Sequence, residues 1–243
     1  MSLIWFGTGR FAQTLWTPAN LTTSLWLDAS DASTITQSGG LVSQWSDKSG
    51  NSRHVTQSTA AYQPTYQPTG FNSLPTISFD GTNDSLRNAS YQPTGAATCF
   101  IVYDASGGNA INSLVIIKTS NIYEILATPD PSYKDVSFTG HGGGSSVGFD
   151  SAAALSGGAV LSVFYDGAGS ATTDYSSRLN GTAQTIATSG PLGYGGSETG
   201  LAIGGRPAGT VVSAKARISE LIFFESQLST SNLEKFEGYA HCR

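Results

Sequence analysis

The run Arg217–Tyr239, RISELIFFESQLSTSNLEKFEGY, constrains the fold more than any other stretch. Side chains alternate along a strand, so Ile218, Glu220, Ile222 and Phe224 are expected on one side, and Ser219, Leu221 and Phe223 on the other. Both sides are largely apolar, which demands packing on both. Leu233, Phe236 and Tyr239 then recur at three-residue spacing, a helical stripe that needs a surface to dock on. Ser231 with Glu234 offers a capping box at the helix start, and Ser229 offers an alternative cap. A chain containing this segment must supply a sheet that receives both pieces.

The preceding residues supply it. Extended segments are predicted over 25–27, 41–45, 54–55, 74–79, 85–86, 98–103, 113–118, 123–127, 136–138, 159–165, 175–179, 182–186 and 201–203. Turn signals separate them every eight to twelve residues or so. Asn180-Gly181 predicts a two-residue hairpin turn, and Asp80-Gly81 with Asn83-Asp84 predicts a second hairpin joining 74–79 to 85–86. Thr17-Pro18 opens no more than one helical turn. The unit Tyr-Gln-Pro-Thr occurs at 62–65, 66–69 and 91–94, and its proline confines it to edge or loop structure. With one short helix, at the C-terminal end, the pattern predicts an all-β, two-sheet antiparallel sandwich. No composition break divides residues 17–243, which are read as one domain. Residues 1–16 differ: Ile4, Trp5, Phe6, Phe11 and Trp16 crowd a short segment, read as an extra strand or as a docking arm for another protein.

Composition excludes several functions. Only 12% of residues are charged, roughly half the usual ~25%. The net charge of -5 and the lack of a basic run argue against nucleic acid. No apolar run is long enough to span a membrane. The start, MSLIWFGTGRFAQ, lacks the basic and apolar regions of a secretory signal. Cys99, inside TCFIVY, is expected as a buried small hydrophobe, and with Cys242 it makes no disulfide framework.

Several segments in order resemble the concanavalin A-like, laminin G-like jelly-roll family: LWLDASD, QWSDKSGN, PTISFDGTNDSL, VFYDG, RLNG, AIGG and ISELIFFESQLS. The resemblance covers about residues 20–240. It implies two stacked sheets of six or seven strands, one of them concave. In style it is similar to versions found in bacteriophage tail-fibre and head-decoration proteins. This implies a virion protein made in the host cytoplasm, held to capsid or tail proteins by the N-terminal segment, oligomeric in the particle and able to bind host glycan. The alternative is a free or enzyme-attached carbohydrate-binding module, with an extracellular location.

Catalysis is not expected. Retaining glycosidases need two carboxylates about 5 to 5.5 Å apart, and family-16-like glucanases carry them as Glu-x-Asp-x-(x)-Glu. Here Glu220 and Glu225 are five apart, Ile222 stands where the aspartate would be, and a regular strand puts the two glutamates on opposite faces. His54, His141 and His241 lack metal-ligand spacing. No cofactor is required, but calcium is possible: Asp28 with Asp31, and Asp47 with Asn51, alternate within loops, and the resemblance favours it. The competing reading of these residues is Asx turns. Candidates for glycan or partner contact are Trp45, Tyr62, Tyr66, Tyr91 and Tyr194.

Overall fold

The computed structural model describes residues 16–93, 95–104, 112–118, 122–127, 136–139, 146–150, 158–166, 175–189, 200–205 and 213–241. In chain order the strands are β1 (Leu25–Asp28), β2 (Ile35–Ser38), β3 (Leu41–Trp45), β4 (Val55–Thr56), β5 (Thr65–Gln67), β6 (Thr76–Asp80), β7 (Leu86–Asn88), β8 (Ala97–Asp104) and β9 (Asn112–Lys118). They continue with β10 (Ile122–Ala127), β11 (Val136–Thr139), β12 (Ser146–Asp150), β13 (Ala159–Tyr165), β14 (Tyr175–Leu179), β15 (Thr182–Ala183), β16 (Thr185–Ser189), β17 (Gly200–Ile203) and β18 (Lys215–Phe224). The helix α1 spans Thr230–His241. Every pairing is antiparallel.

Two layers result. One runs β15-β14-β13-β8-β18, after which β1 and β6 share the far side of β18, and β5 pairs with β6. The other runs β2-β3-β4-β7-β17-β9-β10-β11-β12-β16. A single Leu41–Thr65 pairing ties the layers at one margin. Both contribute to the central core: Leu25, Ile77, Ile101, Leu161, Leu221 and Phe223 from the first, and Trp45, Val55, Leu86, Val115, Leu201 and Ile203 from the second. This is the expected antiparallel sandwich with a C-terminal helix, cut into more short segments than six or seven strands per sheet.

β18 lies at the centre of the first layer, but its two faces are not those that simple alternation predicts. Ile218 pairs with Tyr103 and Glu220 with Val102, so Ser219 is an extra residue, a β-bulge. Its carbonyl accepts from the Ala29 N–H at 2.9 Å. The bulge reverses the alternation: Ala216 and Ile218 before it, and Leu221 and Phe223 after it, all enter the central core. Ile222 and Phe224 turn to the outer face and join Phe100, Phe164, Leu233 and Phe236.

That outer face receives α1. Phe236 stacks on Phe100 (centroids 4.4 Å apart) and meets Phe224 edge-on at 5.2 Å. The Ser229 carbonyl accepts from the Asn232 and Leu233 N–H groups, so the helix starts from Ser229 and not from Ser231. Trp16, in the segment read as an extra strand on the domain or as a docking arm, packs on Phe236 at 4.6 Å and on Tyr239 at 6.2 Å. It is thus used within its own chain.

The Asn180-Gly181 hairpin forms as expected, with both residues at positive φ and Leu179 opposite Thr182. The hairpin expected between 74–79 and 85–86 does not form. β6 pairs with β18 and β5, whereas β7 pairs with β17 and β4. The intervening loop instead crosses between layers, held by the Asp84 carboxylate, which accepts from the Asp80 N–H at 3.0 Å. Gly204 sits against this crossing, where a Cβ would strike the Phe79 ring. None of the helices among the described residues is long and apolar enough to cross a membrane.

Burial, with the Asp80 charge adding to it, pushes the Asp84 pKa up to about 6. A raised carboxyl pKa contributes stability at low pH that is lost as pH climbs through 6, because the native state then carries a buried charge. Asp84→Asn keeps the acceptor without the charge. It is expected to raise stability by about 2 kcal/mol at pH 8 and to leave it unchanged near pH 4, as followed by urea unfolding at both values.

Candidate functional site

One sequence unit, Asp-x-Ser, builds the loops at one end of the sandwich. Three of its occurrences in the sequence lie there: Asp28-Ala-Ser30, Asp31-Ala-Ser33 and Asp47-Lys-Ser49. In each, the carboxylate accepts both the N–H and the hydroxyl of the serine two residues on. These are Asx turns: those at Asp28 and Asp47 follow β1 and β3, and that at Asp31 caps a short 3-10 turn, Ala32–Thr34.

Asp47 is the hub. One oxygen accepts from the Trp26 and Ser49 N–H groups, both at 2.9 Å; the other accepts from the Ser49 hydroxyl and the Arg53 N–H. The Asp47 N–H donates to His54 Nδ1 at 3.0 Å. Asn51 Nδ2 donates to the carbonyls of Thr23 and Ser24. The loop 46–53 is thereby fastened to the start of β1.

The four calcium candidates fall into two hydrogen-bonded groups. Asp28 and Asp31 close on the Lys48 ammonium at 2.9 and 3.0 Å, and Lys48 lies 4.6 Å from the Trp26 ring centroid. The two carboxylates hold the Lys48 pKa up against the opposing effect of burial. The Asp31 pKa is held down, first by the Ser33 hydroxyl and then by Lys48. Asp47 and Asn51 are occupied as described above. Among the described residues, no three His, Cys, Asp or Glu gather as a metal cluster.

Beside this loop lies a cleft of about 360 Å³, lined by Asn51, Ser52, Arg53, Asn88, Ser90, Tyr91, Gln92 and Glu225. Arg53 crosses it. Its Nη1 donates to Glu225 Oε1 at 2.7 Å and to the Ser24 carbonyl at 2.9 Å, while its guanidinium carbon stands 4.2 Å from the Tyr91 ring centroid. Tyr91 also meets Phe223 edge-on at 6.1 Å. Asn88 shapes the opposite wall by accepting from the Ser90 and Tyr91 N–H groups and donating to the His54 carbonyl. Ser52, Ser90 and Gln92 form an exposed rim.

The aromatic candidates therefore part company. Trp45 is fully buried in the central core and unable to stack on a sugar. Tyr91 lines the cleft but is only 5% exposed, with one ring face under Arg53. Its hydroxyl is buried beside the Glu225 carboxylate. Burial, and then Glu225, push its pKa far up. Tyr62 and Tyr66 are half-buried, and Tyr66 packs on the core. Tyr194, His141, Ile4, Trp5, Phe6, Phe11 and Cys242 lie outside the described residues. Arg53, Ser90 and Gln92, which the sequence reading passed over, are placed at the cleft by the Asp47 loop and the Asn88 turn.

Glu220 and Glu225 go separate ways. Glu220 is buried beneath α1, where it accepts from Trp26 Nε1 at 2.7 Å and from the Tyr239 hydroxyl at 3.1 Å. Glu225 faces the cleft with Arg53. A second hollow of similar volume, over β5, β6, β8 and β18, contains Gln67, Ser78, Asp80, Asp104, Lys215 and Arg217, with Arg217 donating to Asp104.

No family model and no curated protein sequence matches the chain. Solved structures do. A Trypanosoma rangeli sialidase in complex with 2,3-difluorosialic acid aligns over 89% of this chain and 32% of its own, with a TM-score of 0.54 and 8% identity. The same organism's sialidase with the inhibitor DANA aligns over 90% of this chain and 35% of its own, with a TM-score of 0.51 and 9% identity. The CBM40 of a Ruminococcus gnavus IT-sialidase, bound to α2,3 sialyllactose, aligns over 67% of this chain and 96% of its own, with a TM-score of 0.49 and 14% identity. The chain spans about a third of the trypanosomal sialidases it matches. At such identities the likeness is one of fold.

Replacing Asp47 by alanine leaves four donors without their acceptor. The loss is expected to cost about 2 to 4 kcal/mol, measured by urea unfolding, and to raise hydrogen exchange at the amides of Trp26, Ser49 and Arg53 before that of β8.

Proposed function

We propose that this chain is a carbohydrate-binding β-sandwich module that works without catalysis, and that the Arg53–Tyr91–Glu225 cleft is its binding site. The observation that carries this reading is the cleft itself. A sugar presents hydroxyl groups that both donate and accept, over a surface only partly apolar. The cleft offers exposed serine hydroxyls and the Gln92 amide on a rim, set on walls held by the Asp47 and Asn88 hydrogen bonds. A rim fixed in advance binds with little further loss of conformational freedom. The sandwich shared with the trypanosomal sialidases is compatible with this role and adds only the fold.

The absence of catalysis is part of the proposal. Glu220 is enclosed by Trp26 and Tyr239 under α1, and Glu225 is paired with Arg53, so the two carboxylates do not face a common space. The expected virion role rested on the likeness in style to bacteriophage proteins, on the low charge and the lack of a secretory signal, and on the aromatic segment 1–16. Of that segment only Trp16 is described, and it packs on α1. The carbohydrate-binding alternative therefore takes precedence over display on a bacteriophage particle.

A glycan array followed by calorimetry tests the reading. The protein is expected to bind defined oligosaccharides, and Ser90→Ala with Gln92→Ala to weaken them at least fivefold without lowering Tm. Fluorogenic glycosides and sialosides are expected to remain intact. An empty array would defeat the binding proposal, and turnover abolished by Glu220→Gln would defeat the non-catalytic one.

A further inference from the structure

The ionic state of the cleft carries an inference about ligand class, and it rests on the reading of this cleft as the glycan site. Arg53 is the cation that lines it, and its charge is already engaged. Nη1 is shared between Glu225 Oε1 and the Ser24 carbonyl, and one guanidinium face lies on Tyr91. The Arg53 backbone is held by Asp47, whose Oδ2 accepts from the main-chain N–H at 3.0 Å. The neighbouring cation, Lys48, is turned to Asp28 and Asp31. His54 Nδ1 accepts from the Asp47 N–H. The guanidinium thus already has a carboxylate partner in Glu225, in a chain whose net charge is -5.

An anionic ligand entering here would meet Glu225 before it could use Arg53. To pair with the guanidinium it would have to settle beside a carboxylate that is already held 2.7 Å from Nη1 and fixed in the chain. A neutral sugar meets no such opposition, because its hydroxyls can share the rim of Ser52, Ser90 and Gln92. We infer that the cleft selects neutral glycans and rejects sialylated, uronic and sulfated ones, with Glu225 as the residue that sets the discrimination. This is specificity through an unfavourable contact with the wrong ligand. It runs opposite to what the acidic sugars in the structural neighbours would suggest.

Affinities are measured by calorimetry for pairs differing only in the acidic group: lactose with sialyllactose, glucosides with glucuronides, and galactosides with their sulfate esters. The native protein is expected to bind the neutral member at least tenfold more tightly. Glu225→Gln, which keeps an acceptor for Arg53 without the charge, is expected to narrow the ratio at least fivefold. Glu225→Asp, which keeps the charge, is expected to preserve it. Thermal melting establishes that each variant is folded, and a variant that melts early is replaced by a salt series on the native protein, in which rising ionic strength should narrow the same ratio. Preference for the acidic members, or a ratio indifferent to both Glu225→Gln and salt, overturns the inference and leaves carbohydrate binding standing. Failure of the native protein to bind any member of the panel overturns the binding reading and this inference together.

Discussion

The fold depends on β18 being buried from both sides along most of its length. A strand between β8 on one side and β1 and β6 on the other has no free edge. Its two faces serve two separate hydrophobic clusters, one between the layers and one under α1. The bulge at Ser219 makes this possible. Without it, Ile218 and Leu221 would point to opposite faces, and one of the two clusters would lose its continuity along the strand. The bulge also places Glu220 beneath the helix, where Trp26 and Tyr239 satisfy a carboxylate that would otherwise be costly to bury.

The same strand sets the position of the candidate site. Where β18 ends, Glu225 emerges at the margin of the sandwich, and Phe223 supports the Tyr91 ring from the core. The other wall comes from far away in the chain, through a loop whose geometry is dictated by one buried carboxylate. Asp47 joins β1, the 46–53 loop and Arg53, so the guanidinium is placed by backbone hydrogen bonds as well as by its own contacts. Site and scaffold are therefore not separable here. A change in the Asx turns would move Arg53 and with it the charge balance of the cleft.

Much of the architecture was legible beforehand. Alternating apolar runs and turn residues marked most strands within a residue or two, and Asn180-Gly181 specified its hairpin because both positions require positive φ. The Asp-x-Ser units were visible as alternating polar residues and were weighed as Asx turns or as calcium ligands; they form the turns. The site was much less legible. Trp45 and Tyr91 were candidates for contact, Trp45 against an expectation that tryptophans in such folds belong to the core, and the packing of the two layers buries both. Arg53 carried no local signal at all. Its partners Glu225 and Ser24 are 172 and 29 residues away, and separations of that kind have no signature in one sequence.

What the sequence by itself determined was the class: many short strands, tight turns and one docking helix, because each of these follows from the chemistry of adjacent residues. What tertiary structure decided was which strands became neighbours and which side chains met. The 74–88 segment illustrates the division. Its turn residues were read as a hairpin, but β6 pairs with β18 and β5 while β7 pairs with β17 and β4, and the loop became a crossing between layers. Likewise, the bulge at Ser219 exists because β18 must keep register with Tyr103 on one part of β8 and Val102 on the next while feeding two cores. Long-range competition of this kind settles the face on which a residue ends up, and so whether a glutamate is enclosed beneath a helix or stands in a cleft.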